Sequence, residues 1–323
     1  MNAHINDSDK GHWVNRSPQS IRPYLQLSRL DRPVGYWLLA LPGWIGLAFA
    51  SLSHGFAASD VKWAVLILIG AITMRGAGCT YNDIVDQDLD AQVERTTLRP
   101  LPAGTVTTKQ AWIWLFSQCG VGLIVLLCLP SLAQMISLCS IPLVAAYPFM
   151  KRITWWPQLW LGLTFNWAVL VAYAAKTGTV SLPLFILYTG LIFWTVGYDT
   201  IYACQDIEDD MKIGVKSTAR RFGKRVKLGI SLSYLVSVVL LSFAVSKTFK
   251  ISQEELNKTT SYSIDVPLIV LFLTYTVPIL LFAGHLAWQI FTLDIKSSQN
   301  SLKKFKSNFW AALLLIFPLI WFH

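Results

Sequence analysis

Charge is scarce in this chain. Only 14% of its 323 residues are Asp, Glu, Lys or Arg, against about 25% in soluble globular proteins. With 54% hydrophobic residues and a mean hydropathy of +0.48, the apolar surplus must face something other than a protein core, which excludes a water-soluble enzyme. Cysteine is scarce too. Cys79, Cys119, Cys128, Cys139 and Cys204 lie in or beside apolar runs without a CxxC pair, which excludes a disulfide scaffold and reads as packing. The five histidines show no ligand spacing, and P-loop, H-E-x-x-H and G-x-S-x-G sequences are lacking, so those phosphate, zinc and serine chemistries have no carrier.

What is present is a series of apolar runs, each near the ~20 residues a helix needs to cross a bilayer. Nine are read: Pro33 to Ser51, Val61 to Asn82, Ala111 to Pro130, Ser131 to Met150, Pro157 to Ala175, Leu182 to Cys204, Leu228 to Ser246, Val266 to Ile290 and Phe305 to Phe322. Their apolarity is continuous rather than alternating, so the expected fold is all-α, a polytopic bundle, and not a β-barrel. Pro142, Pro148 and Pro278 predict kinks, and Gly76, Gly78, Gly120 and Gly122 predict close helix packing. Residues 1–28 read as a cytoplasmic lead, ending in an interfacial segment from Ile21, and residues 29–323 as the membrane domain. Of the 27 lysines and arginines, 21 fall on the side of the N-terminus and the even-numbered loops, which makes that side cytoplasmic. The net charge of +9 then reflects topology and an anionic leaflet rather than nucleic acid. The N-terminal stretch lacks an apolar h-region and carries Asp7 and Asp9, unlike a signal peptide or a mitochondrial presequence, so a bacterial inner membrane is the expected location.

Acidic residues are few but concentrated. Ten of the 18 fall in two windows, Asp83 to Glu94 and Asp199 to Asp210, at the expected cytoplasmic ends of the second and sixth spans. Asp83, Asp86 and Asp90 are spaced i, i+3 and i+7, and Asp199, Asp206 and Asp210 i, i+7 and i+11, which on continuous helices makes two carboxylate stripes. Like charges so stacked are destabilising unless a cation neutralises them, and carboxylate oxygens without histidine, with the adjacent Cys79 and Cys204 read as packing residues, point to Mg²⁺. Asp88, Glu208 and Asp209 fall off the stripes. Basic residues flank both windows: Arg75 inside the second span, Arg95 and Arg99 after the first window, Lys151 and Arg152 ending the fourth span, and Lys212, Lys216, Arg220 and Arg221 after the second window. Acids holding Mg²⁺ and bases holding the remaining oxygens suit a polyphosphate, although the positive-inside rule accounts for many of these bases, Arg220 and Arg221 above all.

These residues resemble the UbiA-type membrane prenyltransferases. Asn82-Asp83-x-x-Asp86-x-x-x-Asp90 is similar to that family's NDxxDxxxD motif and Asp206-x-x-x-Asp210 to its DxxxD motif. Tyr198-Asp199-Thr-Ile-Tyr202-Ala, Tyr147-Pro-Phe-Met-Lys151-Arg152 and Arg29-Leu-Asp31-Arg32-Pro33-Val-Gly35 resemble segments of its 4-hydroxybenzoate polyprenyltransferase branch. The resemblance implies nine transmembrane helices with a cytoplasmic-side cap over a central cavity. It implies Mg²⁺-dependent transfer of a polyprenyl group from polyprenyl diphosphate to the ring carbon ortho to the hydroxyl of 4-hydroxybenzoate, a step of ubiquinone biosynthesis. Mg²⁺ would be held by Asp86, Asp90, Asp206 and Asp210 with Asn82 and Asp83 assisting, and Lys151 and Arg152 would clamp diphosphate oxygens. Asp199 would serve as a further ligand or stabilise positive charge, and Tyr147 or Tyr202 would face a carbocation through its ring. Lys212 completes the expected substrate-binding set together with Arg75, for which a structural ion pair with the aspartates is equally open. The bilayer holds the isoprenoid tail, and other quinone-biosynthesis enzymes are candidate partners. The alternatives are a relative using another acceptor (naphthoate, haem or chlorin) and, in a different class, a cation-coupled secondary transporter, whose carboxylates would sit nearer the bilayer midplane.

Overall fold

The computed structural model describes residues 11–92, 96–259 and 276–321 and is all-helical among them. Seven helical segments are long and apolar enough to cross a membrane: Val34–His54, Ser59–Val85, Thr108–Leu127, Ser131–Ile153, Pro157–Thr177, Leu182–Ala203 and Thr218–Thr248. They match the first seven expected spans. The eighth begins at Val266 in a stretch outside the described residues, and its described part is Val277–Phe291. At the ninth, one helix runs Ser298–Trp321, starting two turns before Phe305. Phe116, Ile124, Leu127, Leu182 and Phe291 are exposed, as side chains that face lipid in a multi-pass membrane protein are.

The chain packs as two compact units: residues 1–40 with 68–128, and residues 41–67 with 129–323. The first holds the short helices α1 (Trp13–Arg16) and α2 (Arg22–Leu27), the start of α3 (Val34–His54), most of α4 (Ser59–Val85), α5 (Gln87–Asp90) and α6 (Thr108–Leu127). Its core is Leu27, Leu101, Val106 and Ala111, flanked by Tyr24, Ile84 and Trp114. The Ser28 hydroxyl is a hub, accepting from Trp114 Nε1 and Gln118 Nε2, both at 2.8 Å. Gly76 makes room for it: a Cβ there would lie 2.2 Å from Gln118 Nε2. Gly122 is similarly close to Met74, whereas Gly78 and Gly120 have open space around them, so the packing expected of those two is not found. Thr107 caps α6 in a box with Gln110.

The second unit contains α7 (Ser131–Cys139), α8 (Ile141–Ile153), α9 (Pro157–Phe165), α10 (Trp167–Thr177), α11 (Leu182–Ala203), α12 (Ile207–Lys212), α13 (Thr218–Phe222), α14 (Val226–Thr259), α15 (Val277–Phe291) and α16 (Ser298–Trp321). Two expected spans are each split into two helices. Ser140 separates α7 from α8 just before Pro142, whose ring fits a first helical turn but not an interior. Asn166 separates α9 from α10, and its amide donates to the carbonyls of Gly162 (2.8 Å) and Leu191 (3.2 Å) and to Thr195 Oγ1 (2.7 Å). Pro278 stands in the first turn of α15 and Pro148 inside α8.

α11 is the centre of this unit, packed against α9, α10, α13, α14 and α16 and buried on most of its faces. Gly197 lets it approach α14 so closely that a Cβ would meet the Tyr234 ring at 2.1 Å. Buried hydrogen bonds fix the neighbours: Trp194 Nε1 donates to Asn308 Oδ1 (2.9 Å) and Tyr234 OH to Gln289 Oε1 (2.5 Å). At one end, the Lys176 ammonium is paired with Asp60 and also donates to Ser51 Oγ and the Gly55 carbonyl.

Candidate functional site

The first acid window lies in the first unit, where α4 gives way to α5. Asp86 leaves helical geometry (φ −99°, ψ 7°), so the helix expected to run through to Asp90 breaks there. The i→i−4 bonds persist across the break, Asp86 N–H to the Asn82 carbonyl (2.9 Å) and Asp90 N–H to that of Asp86 (2.8 Å), which preserves the spacing of the three carboxylates. All three are buried. Glu94 and Arg95 lie outside the described residues.

Two arginines from distant parts of the chain meet this window. Arg29 Nη2 donates to Asp83 Oδ1 at 2.6 Å, and Arg99 Nη1 bridges Asp83 Oδ1 (3.4 Å) and Asp90 Oδ2 (2.7 Å). Asn82 Nδ2 donates to Asp86 Oδ2 at 3.0 Å. The like-charge stacking read from the sequence is thus offset by guanidinium groups that spacing alone did not assign to the site. Arg29 is held in the left-handed region (φ 55°) and anchored through Nη1 to the Gln26 carbonyl at 3.0 Å. Burial works to lower its pKa, but the Asp83 carboxylate and its hydrogen bond outweigh burial and raise it above the ordinary arginine value. Asp83 Oδ2 is buried with no hydrogen-bond partner among the described residues. Arg75 packs beside Gly35, whose missing Cβ would otherwise lie 3.0 Å from Nε.

The second window lies in the second unit. Asp199 and Tyr202 sit on the last turns of α11, while Asp206 precedes α12 and Asp210 lies within it. The continuous stripe expected from i, i+7 and i+11 is interrupted, because α11 closes with i→i−3 bonds: Cys204 N–H to Ile201 (3.2 Å), Gln205 to Tyr202 (3.1 Å) and Asp206 to Ala203 (3.2 Å). The Tyr202 ring packs on Phe305, centroids 4.6 Å apart. The side chain of Asp209 lies outside the described residues. Beyond Lys212 the chain turns at Gly214 (φ 72°), and Val215 N–H returns to the Asp210 carbonyl at 3.0 Å. That turn is stapled to the end of α8, which carries Tyr147, Lys151 and Arg152: Lys216 N–H donates to the Lys151 carbonyl (2.9 Å) and Lys216 Nζ to that of Ile153 (3.0 Å). Lys151 and Arg152 are thereby brought to the segment that follows the second window. Arg220 donates to the Asp210 (3.0 Å) and Val215 carbonyls and stacks on Trp155, a structural clip.

Among the described residues no three His, Cys, Asp or Glu side chains form a metal cage. An oxygen-only donor set with one uncompensated buried carboxylate oxygen fits Mg²⁺, which binds one or two carboxylates and completes its shell with water and phosphate oxygens.

The model of the UbiA prenyltransferase family matches residues 39–314. The chain is 40% identical over 316 residues to the "4-hydroxybenzoate polyprenyltransferase, mitochondrial" of Mus musculus, covering 95% of this chain and 76% of that one. It is 39% identical over 305 residues to the Arabidopsis thaliana protein of the same name, covering 94% and 69%. Among solved structures it resembles the apo UbiA homolog from Aeropyrum pernix K1 (TM-score 0.67, 22% identity, 89% of this chain and 98% of that one). It also resembles a UbiA homolog from Archaeoglobus fulgidus bound to GPP and Mg²⁺ (TM-score 0.57, 17% identity, 88% and 99%). The chain belongs to the UbiA prenyltransferase family.

Proposed function

We infer that this membrane enzyme transfers the polyprenyl group of a polyprenyl diphosphate to the ring carbon ortho to the hydroxyl of 4-hydroxybenzoate and releases diphosphate, a step of ubiquinone biosynthesis. The observation that carries the reading is 40% identity along 95% of the chain to an enzyme named for that acceptor. The acid windows and their basic neighbours supply the chemistry. Asn82, Asp83, Asp86 and Asp90 in one unit, and Asp206 and Asp210 in the other, would hold Mg²⁺, which when bound draws charge from the diphosphate and makes it a better leaving group.

The remaining roles belong to the chain's own side chains. Lys151 and Arg152, with Lys212 and Arg75, hold diphosphate oxygens through charge-assisted hydrogen bonds. Asp199 stabilises the positive charge that develops on the allylic carbon as its bond to oxygen breaks, and Tyr147 and Tyr202 offer ring faces to the same charge. That carbon bonds to the acceptor ring, and loss of the ring proton restores aromaticity. The apolar spans hold the isoprenoid tail and keep out water that would quench the cation. The bilayer is the bacterial inner membrane expected from the N-terminal stretch or a mitochondrial membrane, which the word mitochondrial in the relatives' names supports; fractionation of the source cells separates the two. Purified protein supplied with a polyprenyl diphosphate, 4-hydroxybenzoate and Mg²⁺ should form the 3-prenylated acid and lose that activity with EDTA, with Asp86→Ala and with Asp206→Ala. Diphosphate release with a different aromatic acceptor only would overturn the acceptor assignment.

A further inference from the structure

The Arg29 contact is costly to build. Outside glycine a left-handed backbone is sterically unfavourable, and Arg29 is the one residue among those described that adopts it without being glycine. Its guanidinium is buried and fastened at both ends, to the Gln26 carbonyl and to Asp83 Oδ1. The partner is 54 positions away in sequence, so the contact is a tertiary feature rather than a local turn. Arg99 shares the same carboxylate oxygen and continues to Asp90. Asp83 and Asp90 therefore face two resident guanidinium groups, which lower the net negative charge that the window offers an incoming cation. A free divalent ion meets a weak site, whereas an ion already carrying diphosphate brings oxygen ligands of its own and anionic groups for the arginines.

Resting on the reading of this window as the place where Mg²⁺ is held, we propose that Arg29 is a positioning residue that acts as a resident counter-ion: through Asp83 it keeps the first window from retaining a free divalent cation, so that metal is held together with diphosphate rather than alone. Arg29 acts through Asp83 and does not touch the reacting atoms. A merely structural role would make its loss weaken cation binding along with stability; the counter-ion role makes its loss tighten cation binding.

The test titrates Mn²⁺ into the full-length protein in detergent, reading free Mn²⁺ by electron paramagnetic resonance, with and without inorganic diphosphate. Arg29→Gln keeps the backbone cost and a hydrogen-bonding amide but removes the charge; Arg29→Lys keeps the charge. Removing one unit charge about 6 Å from a divalent ion is worth about tenfold in affinity at the dielectric of water and more at a buried site, so tenfold is the least effect expected. Without diphosphate, Arg29→Gln should bind Mn²⁺ at least about tenfold more tightly than wild type and Arg29→Lys within about twofold of it, and diphosphate should narrow the gap. Folded Arg29→Gln that binds Mn²⁺ no more tightly than wild type overturns the proposal. If Arg29→Gln does not fold, Arg99→Gln carries the same expectation, and an unchanged Mn²⁺ affinity there overturns it equally. Wild-type prenyl transfer is measured on the same sample. Product together with an unchanged titration refutes the counter-ion alone, and no prenyl transfer to any acceptor refutes the functional reading itself.

Discussion

Replacing Lys176 by methionine should destabilise the second unit strongly, and the structure says by how much. The ammonium is paired with Asp60, and both side chains are at most 5% exposed. Its other two protons go to Ser51 Oγ and the Gly55 carbonyl, each at 2.7 Å. Asp60 Oδ2 also accepts from Ala57 N–H at 3.0 Å in the first turn of α4, and Lys176 lies in the last turn of α10, so each charge also suits its helix dipole. Lys176→Met leaves a buried carboxylate without its cation, a loss of about 3–5 kcal/mol. In a chain of this size that corresponds to roughly 6–10 °C at about 2 °C per kcal/mol. Asp60→Asn should cost a similar amount by stranding the ammonium. The double variant should recover most of the loss, because a neutral pair of similar volume is often as stable as the buried ion pair it replaces. Thermal unfolding of the four proteins in one detergent provides the double-mutant cycle. A shift below about 2 °C for Lys176→Met, or single losses that simply add in the double variant, would refute the argument that this pair is buried and coupled.

Gly197→Ala should lower the unfolding temperature by an amount matching about 1–3 kcal/mol of overpacking, since its Cβ would lie 2.1 Å from the Tyr234 ring; an unchanged melting curve would mean that α11 and α14 are not so tightly joined. Tyr234→Phe strands the buried Gln289 amide oxygen and should cost about 1–3 kcal/mol in the same assay. Lys151→Gln should raise the KM for polyprenyl diphosphate about tenfold, the loss of one charge-assisted contact, while leaving that for 4-hydroxybenzoate within about twofold in steady-state kinetics.

The spans were legible because continuous apolarity over some 20 residues matches the thickness of a bilayer's hydrocarbon core and little else in a folded chain. The acid windows were legible because carboxylates are rare elsewhere in the chain. The pairing of guanidinium groups with the first window was not, since the Arg29–Asp83 pair joins positions 54 apart and depends on a φ of 55° that no side chain announces; Arg29 stood out only as part of a family-like segment and Arg99 only as a base flanking the window, with no carboxylate partner assigned to either. Nor did the i, i+7, i+11 spacing disclose that α11 ends at Ala203, because Cys204 and Gln205 are neither proline nor glycine. The break at Asn166 was hidden for the opposite reason: the flanking residues are so apolar that they read as one span, and a single polar residue whose amide bonds the Leu191 carbonyl and Thr195 gives no sign of the split.

The burial of α11 on most faces also sets where motion can occur. Backbone amides in a segment surrounded by packed side chains open only with large-scale unfolding, whereas a short helix beside a loop frays at little cost. Hydrogen exchange should therefore be slowest through Leu187 to Ile201, and Asp199 and Tyr202 inherit that stillness as fixed reference points. The four residues of α5 lie beside a loop and are tied there by the Asp90 N–H bond to the Asp86 carbonyl, by Thr96 on the Asp90 carbonyl and by Arg99 on the Asp90 carboxylate. One acidic window thus follows a long buried helix, whereas the other sits where a long helix gives way to a four-residue one whose carboxylate a guanidinium holds.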